Sequence, residues 1–191
     1  ETDSHVIRAK WTTGSGNSGA NMAAIGQKGL DLYIQKDGQW VFAGVGSPKM
    51  KQAPFNMHES TILADMPDGK KQCLLYLPLF DKVDVLEIGI EANASIEAIE
   101  NPFRHNIIVH GSSITHGASA SRPGMSYVAR LARNTGFDCI NLGFSGQCKL
   151  QKEYADAFKS GKAYGPELKA NVWTARYLLA DITAAEDFEV E

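Results

Sequence analysis

No stretch of this chain sustains the roughly 18 apolar residues that a helix needs to cross a bilayer, and its opening Glu1-Thr-Asp-Ser lacks the charge-then-apolar order of a secretory leader. Charge of one sign is also scarce. The 19 Lys+Arg against 22 Asp+Glu leave a net charge of -3, with the basic residues scattered along the chain. That excludes the concentrated basic face of a nucleic-acid binder. Cysteine appears only as Cys73, Cys139 and Cys148, an odd number without metal or redox spacing, so these read as small hydrophobes. Histidine appears five times, as His5, His58, His105, His110 and His116, and never after His116. The pair His58-Glu59 lacks the second histidine of a helical zinc motif, so no metal and no cofactor is expected. There is no internal repeat. What remains is a globular composition, 43% hydrophobic and 21% charged, over 191 residues: one large domain or two small ones. A small-molecule or carbohydrate partner stays open.

What is present divides near residue 100. Upstream, apolar residues alternate: Ile7, Ala9, Trp11; Leu30, Leu32, Ile34; Leu75, Leu77, Leu79; Leu86, Ile88, Ile90. Period two predicts half-buried strands. The glycine-rich stretch 14–19 and the pairs Asp37-Gly38 and Asp68-Gly69 separate them, and Asp-Gly pairs supply the positive backbone angles of tight hairpins. An antiparallel sandwich follows. Downstream, Ile107-Ile-Val reads as a buried strand, Met125, Val128, Ala129 and Ala132 mark one face of a helix, and Cys139-Ile-Asn-Leu is the next strand. Strand, helix, strand is a parallel crossover unit, so this part is α/β. A short helix is expected over 152–159, the segment 167–180 fits helix or strand, and the acidic end from Ala184 reads as a surface tail.

The first strand of the α/β part leads into HGSSITHG, residues 110–117. A buried strand that delivers two serines between glycines, with a helix to follow, makes a sharp turn with exposed backbone N–H groups, favourable to a developing negative charge. Helix capping explains such serines equally well. At the end of the next strand NLGFSG, residues 141–146, places a second glycine-rich turn on the same edge, where open parallel sheets bind ligands.

GSSITHG resembles the first motif of the GDSL family of SGNH hydrolases, and NLGFSG resembles their second. GLDLY at 29–33 is similar to the signature of a β-sandwich that precedes the hydrolase in one branch of that family, as are LLYLPLFD at 74–81, LEIG at 86–89 and SRPGM at 121–125. The resemblance spans roughly residues 6 to 158. It implies a jelly-roll-like β-sandwich over 1–98, its first strands missing, and over 101–191 the first part of a flavodoxin-like three-layer SGNH hydrolase domain. It implies metal-free serine esterase chemistry, with Ser113 as nucleophile and the N–H groups of Ser113 and Gly146 as oxyanion donors; Ser112 stands where the family usually has Asp. It also implies a secreted or periplasmic protein.

Two parts of that pattern are absent: the third motif's oxyanion asparagine, and the DxxH that carries the catalytic acid and histidine. His116 lies three residues after Ser113, but a base must meet the hydroxyl at the right distance and direction, and a surface position suits it better. Asn171 has the wrong surroundings for the missing donor. The expectation is a chain truncated at both ends and itself inactive, drawn from an esterase that acts on an acyl group, with carbohydrate esters as the suggested substrate. A non-catalytic glycan-binding module and an acyltransferase are the alternatives. For the former, Trp11, Tyr33 and Trp40 could form a stacking platform, although alternating sandwich aromatics more often pack inward. Asp31 reads as a backbone-bonding acid of the GLDLY signature, and Arg122 as either a substrate contact or an ion-pair partner.

Overall fold

The computed structural model describes residues 1–16, 19–50, 56–149, 152 and 175–180. The chain forms two compact units, one of Glu1–Glu100 with Ser119–Ser126, the other of Asn101–Ala118 with Tyr127–Glu191.

The first unit holds β1 (Ile7–Thr13), α1 (Ala24–Lys28), β2 (Leu30–Lys36), β3 (Gln39–Gly46), β4 (Met57–Leu63), β5 (Cys73–Tyr76) and β6 (Val83–Gly89). They pair antiparallel into two three-stranded sheets, ordered β4-β1-β6 and β3-β2-β5. Ile7, Ala9 and Trp11 of β1, Leu30 and Leu32 of β2 and Ile62 of β4 form one shared core with Met66, which makes the unit a sandwich. The alternation in β1 sends Ile7, Ala9, Trp11 and Thr13 inward and Arg8 and Lys10 outward. Burying Trp11 also requires a partner for its indole N–H, and the Lys28 carbonyl accepts it at 2.7 Å. The Lys28 ammonium is itself buried and pairs with Asp81 at 2.7 Å.

Sequence and structure part at several elements of this unit. Asp37 and Gly38 do make the β2–β3 hairpin, both with positive φ. Asp68 and Gly69 do not make one: they lie between β4 and β5, which belong to different sheets. β5 ends at Tyr76, because Pro78 has no N–H to continue a ladder, and so Leu77 and Leu79 fall outside it. β3 and β4 escape the period-two reading because neither alternates apolar with polar: β3 runs Trp40-Val-Phe-Ala without a break, and β4 places His58 and Ser60 on the same side as Ile62. In β4 His58 and Ile62 are buried and Met57, Glu59 and Thr61 are exposed.

The second unit is a parallel sheet of order β8-β7-β9, from β7 (Arg104–Gly111), β8 (Phe137–Gly143) and β9 (Ala175–Ala180). Between β7 and β8 come α2 (Ser113–His116) and α3 (Tyr127–Thr135). Val128, Ala129 and Ala132 of α3 are buried, and Val128 packs with Ile107 and Val109 of β7 against Cys139. Met125 is not on that face; it closes a 3-10 turn, Pro123–Met125, which belongs to the first unit. The segment 167–180, open between helix and strand in sequence, supplies β9, so β7 is central rather than one of two strands. The helix expected over 152–159 and the acidic end lie outside the described residues, save Lys152, which is helical. The three cysteines are free thiols, each half-buried, and burial together with Asp138 pushes the Cys139 thiol up to about 11.

Candidate active site

β7 delivers the first motif at its carboxyl end. Ser112 is extended and makes no side-chain cap bond to α2, which removes the capping explanation for it. Ser113 is the first residue of α2, half-buried, and no described residue hydrogen-bonds its hydroxyl. The helix lasts one turn. Gly117, left-handed at φ 110, stops it, and the Ser113 carbonyl accepts the N–H groups of Gly117 at 3.1 Å and Ala118 at 2.8 Å. A single turn carries little macrodipole. The favourable field expected from a helix start therefore comes down to individual N–H groups.

β8 brings the second motif beside the first. The Phe144 N–H donates to the Gly111 carbonyl at 2.8 Å, so the two loops share a hydrogen bond at the sheet edge. Gly143 packs so closely on α2 that a Cβ there would run into the backbone of Thr115 and His116. A turn over residues 144–147 follows, closed by the Gln147 N–H on the Phe144 carbonyl at 2.8 Å, with Gly146 at its third position and φ +70. That position of a type II turn requires positive φ, which glycine supplies without strain. Nothing lies within 4 Å of where a Gly146 Cβ would be, so the demand there is conformational.

Asn141 spans the two motifs. Its Nδ2 donates to the Thr115 carbonyl in α2 at 2.9 Å, and its Oδ1 accepts the Gly143 N–H at 2.9 Å. The buried Thr115 hydroxyl shares a second bond, 2.8 Å, with Tyr127 of α3. Beneath the second loop, His110 Nδ1–H donates to the Leu142 carbonyl at 3.1 Å, its Nε2 faces Cys148 Sγ at 3.5 Å, and Phe144 meets the ring edge-on at 5.4 Å. The His110 ring is thus engaged below the loop. His116 ends α2 and is half-buried. The side chain of His105 and all of Asn171 lie outside the described residues.

The remaining candidates fall in the first unit. His58 is buried against Trp11, with Nδ1 accepting the Lys49 N–H at 3.1 Å and Nε2–H donating to Thr13 at 3.0 Å. Burial, then the Lys28 charge, holds its pKa below 6.5. Among the described residues no group of side chains is suited to hold a metal ion. Trp11 and Tyr33 are buried, so with Trp40 half-buried the aromatics do not form an exposed platform. Asp31, fully buried near the start of β2, accepts Arg122 Nε at 3.2 Å and the Gly124 N–H at 2.8 Å, and Arg122 lies 4.1 Å from the Phe42 ring centre. GLDLY and SRPGM, read separately in sequence, are two halves of one clamp, and Arg122 is its ion-pair partner.

An antiparallel sandwich followed by a parallel α/β sheet with a serine-bearing turn at its carboxyl edge defines the two-part SGNH-type esterase architecture. Residues 1–96 match the GxDLY family, the N-terminus of SGNH-hydrolase-type esterases, and residues 104–164 match the GDSL-like lipase/acylhydrolase family. The chain belongs to this family. A Bacteroides ovatus protein assigned to the GDSL-like lipases is 50% identical, with a TM-score of 0.77, over 81% of this chain and 44% of that one. Two others share the fold: the salicylyl-acyltransferase SsfX3 of a tetracycline biosynthetic pathway (23% identity, TM-score 0.59, 83% of this chain and 42% of that one) and a family two carbohydrate esterase of Clostridium thermocellum in complex with cellohexaose (15%, 0.51, 76% and 43%). The chain therefore spans less than half the length of each. None of the curated proteins compared matches it in sequence.

Proposed function

We propose that this chain carries the nucleophile half of a serine esterase, with Ser113 as nucleophile and the N–H groups of Ser113 and Gly146 as oxyanion donors. The observation that carries the reading is the hydrogen bond between Phe144 N–H and Gly111 C=O, which holds the serine turn and the Gly146 turn together at the carboxyl edge of one parallel sheet. Ser113 Oγ attacks the ester carbonyl as a base takes its proton, the oxygen gathers charge against the two N–H groups, and the alcohol leaves with that proton. Water then attacks the acyl-serine and releases the acid. The substrate proposed is an acylated carbohydrate, a reading supported by the fold shared with a carbohydrate esterase whose structure holds cellohexaose. The buried state of Trp11 and Tyr33 counts against a purely glycan-stacking role.

Fluorophosphonate labelling of the whole protein, with mass-spectrometric site mapping, tests the nucleophile. Label is expected on Ser113, lost in Ser113→Ala and kept in Ser112→Ala. The reverse pattern sinks the assignment.

A further inference from the structure

α2 cannot orient itself. One helical turn fixes several backbone torsions for very few hydrogen bonds, so a four-residue helix has no independent stability. Its last carbonyls have no intrahelical partner. Whatever sets the direction of Ser113 must come from outside α2, and the direction matters, because displacement of a reacting group by about 1 Å costs roughly 100-fold in rate.

Resting on the esterase reading above, we propose that Asn141 is a positioning residue: its one carboxamide sets α2, and with it Ser113, against the loop that carries Gly146. The carboxamide is the side chain suited to this, since it offers a donor and an acceptor on the same rigid plane. The donor holds the Thr115 carbonyl, a C-terminal carbonyl of α2, at 2.9 Å. The acceptor holds the Gly143 N–H at 2.9 Å, the residue before the turn at 144–147. Gly143 lies directly against α2, so the gap that the carboxamide spans is at van der Waals contact and tolerates no slack. The Tyr127 hydroxyl restrains the same turn from α3, and the Phe144 N–H ties the second loop to Gly111 at the end of β7, ahead of α2; the Asn141 carboxamide bonds α2 itself and the residue that enters the Gly146 turn.

The test separates placement from folding. In the whole protein, reaction with a fluorophosphonate gives an amplitude, the fraction of folded sites, and a rate constant, the competence of each site. Asn141→Ala is expected to keep the amplitude and lower the rate constant ~10–100-fold, with kcat on an acetyl ester falling in step and KM within about threefold of the parent. Asn141→Asp keeps the acceptor for Gly143 and replaces only the donor to Thr115, and it should slow labelling in the same sense. A parent-like rate constant in either variant overturns the proposal. So does loss of amplitude in both variants with an unchanged rate constant in the remainder, or failure of both to fold, which would make Asn141 a stability residue. Turnover that survives Ser113→Ala refutes the esterase reading itself, a separate outcome.

Discussion

At the residue scale the two histidines of the sandwich are set against each other. His5 lies between two carboxylates, Asp68 at 2.8 Å and Glu91 at 3.0 Å, and both hold its pKa above 6.5. Its contribution to stability is complete below 6.5 and lost as pH rises through the folded value. His58 is the opposite case. Protonation would put a second N–H opposite the Lys49 N–H, in a site already desolvated and near Lys28, so its contribution is complete above 6.5 and lost as pH falls through its lowered folded value. Proton NMR titration should place the His5 midpoint above 6.5 and the His58 midpoint below it, and His5→Gln should cost thermal stability mainly on the acid side. Coincident midpoints would contradict this account. The sequence showed where serines and glycines stand because such residues announce turns by type. It could not show that Asn141 bridges two loops or that His58 is walled in, since both facts depend on what strands distant in sequence bring alongside.

At the element scale, alternation revealed β1, β2 and β6 because their apolar residues fall at every second position, and it missed β3, where Trp40-Val-Phe-Ala runs without a polar break, and β4, where His58 and Ser60 share the inward side with Ile62. The crossover unit was legible for a similar reason: β7 and α3 both bury a continuous apolar face. The segment Ser119–Ser126 was not, because nothing local says that it folds with strands some ninety residues earlier. Its attachment is chemical. Asp31→Ala leaves the Arg122 guanidinium and the Gly124 N–H without their acceptor, an expected loss of about 3 kcal/mol, measured by urea denaturation of the chain. Gly124→Ala should destabilise through the same contact, since a Cβ would stand 2.8 Å from Asp31 Oδ2 and 3.0 Å from the Tyr33 hydroxyl. An Asp31→Ala chain as stable as the parent would show that the clamp contributes nothing net.

At the scale of the whole molecule, the first unit is discontinuous in sequence: residues 1–100 form it only with 119–126. The consequence is measurable by dissection. In the intact chain Asp31→Asn should destabilise, and in residues 1–100 alone, where Arg122 and Gly124 are missing, the same change should cost less, by about 1 kcal/mol or more. Equal costs in the two settings would show that Asp31 acts through some other partner. The same interleaving bears on inheritance. Recombination exchanges contiguous pieces of a gene, and a crossover near codon 100 would part Asp31 from Arg122 and Gly124. A sandwich acquired from another lineage would bring an acid evolved for a different segment after the nucleophile turn, so in this family the GLDLY and SRPGM signatures are expected to descend together, as a single unit of ancestry rather than as two exchangeable modules.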